Sequence, residues 1–146
     1  MPVHKYIKGP NSPTAGFSPR FAGVVWAGQP LFQHRESFEF YYNTKILIES
    51  MNRYEYVVFG DDDNIVASMA FYREVDMHIG DCMSVLVAFS TDANKRALVG
   101  GYRWMREVAM ELGVEWIAYT KATSTYEMTL KYKRISAHGA DLSSRF

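Results

Sequence analysis

The stretch KRALVGGYRW, residues 95–104, decides how the chain is interpreted. It follows an apolar run, Val85–Phe89, that is typical of a buried strand, and it precedes a segment with helical spacing that should end near Gly113. Two adjacent glycines stand behind two positive charges. The stretch therefore predicts either a glycine-rich turn that lets a helix N-terminus hold phosphate, or the interior of a longer helix.

The start of this helix separates the two interpretations. Ser90, Thr91 and Asp92 form a good N-cap cluster. A helix that begins there would hold both glycines in its interior, where each costs about 1 kcal/mol relative to alanine. A helix that begins near Leu98 would place them in its first turn, where they could serve a phosphate. The β-branched Val99 favours the early start, and both starts stay open.

Outward from this stretch, apolar spacing alternates between helical and strand-like. The predicted elements are a helix over 36–52, a hairpin with strands Tyr54–Phe59 and Ile65–Val75, a strand over Cys82–Phe89, the helix that ends near Gly113, a strand over Val114–Ala122, and a short helix from 123–125 to near Arg134. Because strand–helix–strand crossovers are right-handed, Cys82–Phe89 should run parallel to Val114–Ala122. The predicted fold class is α/β, or α+β by stricter usage, with a mixed sheet of four to six strands and helices on both faces.

The chain is long enough for a single domain. Residues 1–35 are predicted to be a loop-rich arm, residues 36–137 the core and residues 138–146 a tail. Prolines and glycines punctuate the start of the arm, although Val3–Lys8 could form a short strand. Ser18 and Pro19 predict the cap and the first position of a short helix.

Composition and charge argue against several classes of protein. The chain of 146 residues carries 16 Lys and Arg against 16 Asp and Glu, so its net charge is zero, unlike that of a general nucleic-acid binder. The single cysteine, Cys82, permits no internal disulfide, and the scattered histidines predict no Cys/His metal site. No apolar run approaches the roughly 20 residues that a membrane span needs. We expect a cytoplasmic protein or one enclosed in a particle.

The element order and the residues around the glycine pair resemble the GCN5-related N-acetyltransferase (GNAT) family. In that family a central strand leads into a loop of pattern Arg/Gln-x-x-Gly-x-Gly/Ala, whose backbone N–H groups hold the pyrophosphate of acetyl-CoA. Arg96–Gly101 matches the first and last positions, and Val99 replaces the middle glycine. The family's later signature, Leu-Tyr-x-Lys-x-Gly-Phe, is matched loosely by Lys131–Ala137, with Tyr132 in the tyrosine position. This degenerate form is also similar to the acetyltransferase-like internal virion proteins of T7-like phages.

The resemblance implies acetyl-CoA as co-substrate, an amine of unstated kind as acceptor, and no metal. The residues implied for binding acetyl-CoA are Lys95 and Arg96, which would attract its phosphates, Gly100 and Gly101, which would let the phosphates approach closely, and Val87 and Phe89 on the strand beside the cleft. Tyr132 is implied as the general acid for the departing thiolate, although a tyrosine at such a position is more often a surface or half-buried ring. A general base could come from Glu74, Asp76 or water.

A second interpretation keeps the fold and gives up catalysis. The chain would then be a structural protein, such as an internal virion component of a phage, that assembles with itself or with other virion proteins. An intact Gly-x-Gly loop would favour the enzyme. The half-intact loop leaves both interpretations open.

Overall fold

The structure, a computed structural model, describes residues 1–135. Its strands are β1 Val3–Lys8, β2 Arg53–Phe59, β3 Ile65–Asp76, β4 Gly80–Ser90, β5 Trp116–Ser124 and β6 Glu127–Arg134. Its α-helices are α1 Pro19–Gly28, α2 Ser37–Glu49 and α3 Val99–Glu111, and short 3-10 helices cover Pro30–Phe32, Asp61–Asp63 and Asp92–Leu98. The predicted tail, 138–146, and the last two residues of the later signature, 136–137, lie outside the described residues.

The strands form one six-stranded sheet in the order of the chain, β1-β2-β3-β4-β5-β6. Neighbouring strands are antiparallel except for β4 and β5, which are parallel. The predicted hairpin and the predicted parallel crossover are therefore confirmed, as is the mixed α+β fold class. The crossover consists of the 3-10 helix Asp92–Leu98 followed by α3.

Helices cover both faces of the sheet, as expected. One apolar cluster joins α3, through Met105, to the face of the sheet that contains Met69. The other joins α1 and α2, through Phe21 and Phe40, to the face that contains Ala70. Because successive side chains of a strand point to opposite faces, Met69 and its neighbour Ala70 mark the two sides.

The first 35 residues contribute to the core as well as to the surface. β1 pairs with β2 along its whole length, and α1 buries Phe21 against the sheet. The Ser18 side chain caps α1 by accepting a hydrogen bond from the backbone N–H of Phe21, with Pro19 at the first position. The predicted strand and capped helix are thus present, and the segment is more ordered than a loop-rich arm.

A buried ion pair fastens this N-terminal segment to β2. Arg53 Nε lies 2.7 Å from Glu55 Oε2, and the two side chains are 0% and 2% exposed. The Arg53 guanidinium donates to the carbonyl oxygens of Gly9 and Ser12. The other oxygen of Glu55 accepts from the Thr14 hydroxyl and from backbone N–H groups at 15 and 16. The loop between β1 and α1 therefore closes around two charges that have no access to solvent.

The structure corrects two predictions about helices. The α-helix of the crossover begins at Val99, so the early start at 90–92 is wrong, and a 3-10 helix with a kink at Asn94 occupies the intervening residues. The predicted short helix that ends near Arg134 is also wrong, because those residues form β6, antiparallel to β5. Pairing satisfies the backbone groups of β5 and β6 that face each other, and this non-local gain outweighs local helix propensity.

No helix within residues 1–135 is both long enough and apolar enough to cross a membrane. In the same part of the chain, no group of three or more His, Cys, Asp and Glu side chains is arranged to hold a metal ion.

Candidate active site

The parallel strands β4 and β5 separate after a very short contact. Their ladder consists of the pairs Met83↔Ile117 and Ser84↔Ala118. β4 then continues to Ser90 and β5 to Ser124 without pairing with each other. The carboxyl halves of two central strands therefore diverge, and an opening forms at the edge where open α/β sheets bind ligands.

A β-bulge in β4 marks the start of the divergence. Val85 pairs with Phe71 and Val87 pairs with Ala70, so Leu86 is an extra residue without a partner on β3. An extra residue bends a strand and increases its twist. The bulge therefore turns the end of β4 away from β5.

The divergence leaves backbone groups of β4 directed into the opening. The Thr91 N–H donates to the Val66 carbonyl on β3, at 2.9 Å. In an antiparallel ladder the residues that bond to one neighbour alternate with those that face the other side. Phe89 thus bonds to β3, whereas Ala88 and Ser90 direct their N–H and C=O groups toward the place where β5 would have paired.

A cleft of about 690 Å³ occupies the opening, and we call it the central cleft. Its lining comes from α1, α2 and the segment between them (Val24, Val25, Gly28, Gln29, Phe32, Arg35, Phe40, Thr44, Leu47), from β4 and the crossover (85–91, Lys95, Leu98, Tyr102), and from β5 and β6 (Thr120, Ala122, Met128). Most of these side chains are apolar. The charged members are Arg35 and Lys95, and no Asp or Glu of the described residues lines the cleft.

A second depression lies between α3 and β5, and we call it the basic groove. It has a volume of about 490 Å³ and is lined by Val99, Tyr102, Arg103, Arg106, Tyr119, Thr120 and Lys121. Tyr102 and Thr120 line both depressions, so the two lie side by side. The rings of Tyr102 and Tyr119 lie 6.0 Å apart at a steep angle and join α3 to β5. Burial raises the pKa of Tyr102, so this ring is a neutral wall at physiological pH.

The cations of the basic groove were missed in the sequence. Arg103 and Arg106 are three positions apart on α3 and share a helix face, which is a detectable signal. Lys121 joins them only because β5 lies beside that face. Together they make a positive surface with no carboxylate among its described lining residues.

No protein-family model and no curated protein sequence matches the chain. Solved structures do match. An aminoglycoside acetyltransferase from an uncultured soil metagenomic sample superposes with a TM-score of 0.53 at 12% identity, covering 85% of this chain and 82% of that one. An aminoglycoside antibiotic 6'-N-acetyltransferase from Acinetobacter baumannii gives a TM-score of 0.55 at 12% identity, covering 84% and 82%. The chain has a GNAT-like fold. At this identity the similarity concerns the fold alone.

In this GNAT-like fold the glycine pair packs against the sheet. Gly100 and Gly101 lie in the first turn of α3. A Cβ on Gly101 would lie 2.5 Å from Met69 Sδ, and one on Gly100 would meet the Tyr56 hydroxyl. The backbone N–H of Val99 already donates to the Arg96 carbonyl, which closes the preceding 3-10 helix. The glycines therefore let α3 approach the sheet closely, and one N–H group at the start of α3 is already used.

The other implied CoA-binding residues divide between the cleft and its surroundings. Lys95, Val87 and Phe89 line the central cleft. Arg96 is exposed and is not among the lining residues, and Gly100 lines a separate depression beside Lys5 on the other side of α3. Phe89 also packs against the rings of Phe17, Phe32 and Phe40, so its position in the floor of the cleft is fixed by the core.

Tyr132 lies on β6 beside the last paired residues of β4 and β5. It pairs with Ala118, and its hydroxyl lies 3.0 Å from Asp76 Oδ2 and 3.1 Å from His78 Nδ1. Desolvation and the hydrogen bond to Asp76 raise the pKa of Tyr132, so the phenol is protonated at neutral pH. Hydrogen bonds from the His78 backbone and, after it, from Tyr132 lower the pKa of Asp76. The phenol can donate a proton, but it is outside the lining of the cleft, four residues or about 13 Å along β6 from Met128.

Proposed function

We propose that the chain is an acyl-CoA-dependent N-acetyltransferase that transfers an acetyl group from acetyl-CoA to an amine. The observation that supports this most is the separation of β4 from β5, which opens an apolar cleft beside a basic groove. A thioester with a long amide-containing arm and a phosphorylated nucleotide needs both environments next to each other.

The proposed placement follows the chemistry of coenzyme A. Its arm carries amide groups, and an extended amide chain can pair with the unpaired backbone of a strand such as Ala88 and Ser90. Its phosphates are multiply charged and would lie against the basic groove, with Lys95 and Arg96 adding attraction from the crossover. At about 5 Å in water each such charge pair contributes about 1 kcal/mol. Val87 and Phe89 would contact the apolar part of the arm in the floor of the cleft.

The transfer itself needs an uncharged amine and a proton for sulfur. The amine nitrogen attacks the thioester carbonyl carbon, the C–N bond forms, the C–S bond breaks, and the thiolate leaves. Tyr132 is our proposed proton donor to that thiolate. Because its hydroxyl is held by Asp76 and His78 outside the cleft lining, the proton would have to cross a bridging water. The attacking nitrogen loses its extra proton to water, and water returns a proton to the Tyr132 phenolate.

The binding step is tested by ligand-linked stability. Acetyl-CoA at 100 times its Kd should stabilise the folded chain by about 2.7 kcal/mol. For a domain of this size that is a rise in Tm of about 5–10 °C. Inorganic pyrophosphate serves as the charge-only comparison and should give a smaller shift, because it cannot fill the apolar cleft.

A matched pair of triple variants locates the phosphates. Replacing the groove cations Arg103, Arg106 and Lys121 with glutamine should weaken acetyl-CoA binding at least tenfold. Replacing the remote cations Lys8, Arg20 and Arg134 with glutamine makes the same change in net charge and should leave the affinity within about twofold. Acetyl transfer is followed separately by release of the CoA thiol in the presence of amines. An unmoved melting curve in millimolar acetyl-CoA would end the enzyme proposal.

A structural role is the second candidate, and specific observations favour it. Val99 stands at the middle glycine position, Gly100 and Gly101 serve packing against the sheet, and Tyr132 is outside the cleft lining. In this alternative the chain is a non-catalytic GNAT-fold component, such as an internal virion protein of a phage, in contact with copies of itself or with other virion proteins. We propose the cytoplasm as the location of the enzyme, and a phage particle as that of the structural protein. Failure to bind acetyl-CoA, combined with a stable oligomer in light scattering, would favour this candidate.

A further inference from the structure

The wall of the central cleft formed by α1 and α2 carries one cation, Arg35. Its guanidinium carbon lies 5.2 Å from the centre of the Phe40 ring, and its Nε is buried without a hydrogen-bond partner in residues 1–135. No ion pair joins this guanidinium to a carboxylate of the described chain. A buried Nε donor without a partner costs free energy, and the guanidinium to which it belongs lines the cleft, so it indicates a partner that enters the cleft.

The position of Arg35 is fixed by its neighbours. The Trp26 indole N–H donates to the Arg35 carbonyl oxygen at 2.9 Å. The Gln33 amide donates to the carbonyl oxygens of Trp26 and Ala27, which ties the same loop to the end of α1. The stacking of the guanidinium on Phe40, a residue of the core, fixes the other end of the side chain. Arg35 is thus a pre-positioned group and not a free surface arginine.

The surroundings of Arg35 define the chemistry of its partner. The same wall contributes the apolar side chains of Val24, Phe32 and Leu47, together with the neutral polar groups of Gln29 and Thr44. No carboxylate among the described lining residues neutralises the arginine. A planar guanidinium with its donors in a fork matches a carboxylate in size and geometry.

The phosphates of the acyl donor are less suitable partners for Arg35. The basic groove and Lys95 lie on the α3 and β5 side of the central cleft, whereas Arg35 belongs to the opposite, helical wall. A donor that enters along the basic groove and reaches the diverging strands leaves the helical wall to the second substrate.

From this arrangement we infer that Arg35 binds a carboxylate of the amine acceptor. The acceptor is then a molecule that carries both an amine and a carboxylate, with an apolar group against Val24, Phe32 and Leu47, as in an amino acid with an apolar side chain. The assignment of the carboxylate to an acetyl acceptor rests on the proposed function, but the carboxylate subsite can be tested by itself. It also separates the chain from its aminoglycoside-acetylating fold neighbours, since a polycation would be repelled by a cleft whose charged lining is positive.

The test is a pair of probes that differ only in the carboxylate. N-acetyl-leucine and N-acetyl-leucinamide are titrated into the labelled protein, and the Arg35 Nε–H resonance is followed by NMR. We expect the acid to shift this resonance with saturation and the amide to bind at least tenfold more weakly, because a charge-assisted hydrogen bond is lost. Equal binding of the acid and the amide would overturn the inference.

Matched variants assign the effect to the guanidinium. Arg35→Gln should lower the affinity for the acid about tenfold or more, and Lys95→Gln should change it less than threefold. The Trp26 indole N–H resonance, which reports the bond to the Arg35 carbonyl, should stay unchanged in Arg35→Gln and so shows that the loop is intact. An Arg35→Gln variant with this resonance in place and with wild-type affinity for the acid would refute the subsite.

Two further experiments show which molecule supplies the carboxylate and separate the subsite from the proposed transferase activity. If the carboxylate belongs to the acceptor, N-acetyl-leucine should still shift the Arg35 resonance when CoA is bound. A shift by succinyl-CoA that blocks N-acetyl-leucine would instead assign Arg35 to the acyl group and overturn the acceptor assignment. Binding of the acid without any binding of acetyl-CoA would support the subsite and reject the proposed transferase, so the two ideas fail separately.

Discussion

The buried ion pair between Arg53 and Glu55 makes the sharpest prediction about stability. We consider Glu55→Gln, which keeps the shape of the side chain and removes its charge. In the native protein Glu55 has one oxygen on Arg53 and the other on donors of the loop at 14–16. The substitution leaves the Arg53 charge buried without a counter-charge. It also points the new amide NH2 group either at Arg53 or at the donors of the loop, where a donor meets a donor.

The magnitude follows from the burial of both groups. Breaking a buried pair by removing one partner costs about 3–5 kcal/mol, because the remaining charge stays desolvated. Arg53 retains bonds to the Gly9 and Ser12 carbonyls, which places the expected loss near about 3 kcal/mol. Domains of this kind are stable by about 5–15 kcal/mol, so the variant should fold but with a much smaller margin.

Urea denaturation followed by tryptophan fluorescence measures this loss. The midpoint should fall by about 1–2 M at an unchanged m-value of about 2 kcal/mol/M. The control is Asp81→Asn, which makes the same chemical change in the Arg73–Asp81 pair, whose side chains are 48% and 45% exposed. An exposed pair contributes at most about 1 kcal/mol. If Glu55→Gln and Asp81→Asn lower the midpoint equally, the argument from burial is wrong.

Three other predictions follow from single residues. Burial raises the pKa of Cys82 to about 11, so at pH 8 about one thiol in a thousand is ionised and a thiol reagent should label the native protein far more slowly than the urea-unfolded one. Gly101→Ala should lower the free energy of unfolding by about 1 kcal/mol, since overpacking against the sheet exceeds the gain in helix propensity, whereas Gly28→Ala, with no atom within 4 Å of its new Cβ, should be neutral or stabilising. The pKa of Asp76 measured by NMR should lie below the usual range for an aspartate. The stability that this lowered pKa contributes is therefore present above the unfolded-state pKa and is lost as the pH falls through the folded-state pKa. Tyr132→Phe should raise the Asp76 pKa, and an unchanged pKa would refute the hydrogen bond.

Much of the fold could be predicted because the relevant signals are local. The change of apolar period separates α2 from β2 and β3, and Ser18 with Pro19 specifies the start of α1 through a single hydrogen bond. β6 was missed because it is a strand by virtue of its pairing with β5, and a short stretch of sequence does not reveal that pairing. The 3-10 helix at 92–98 was missed for a related reason: its kink at Asn94 interrupts any regular period.

The candidate site was predictable only in part, since it depends on distances between remote segments. The parallel pair beside the cleft was predictable, because parallel neighbours in a crossover are a topological expectation. The bulge at Leu86 that widens the opening has no sequence signature of its own. Arg35 reaches the cleft from the loop before α2, more than fifty positions from the crossover that forms the other wall. A single arginine in a loop carries no functional signal until its surroundings are known.

The glycine pair shows why a partial motif match has to be weighed against packing. A glycine in a helical turn that faces a sheet and one that faces a phosphate look identical in sequence. Here Tyr56 and Met69 occupy the space in front of the missing side chains, so the sheet alone is a sufficient reason for both glycines. Their presence then adds nothing to the case for bound phosphate. That case depends instead on the position of the central cleft beside the cations of α3 and β5.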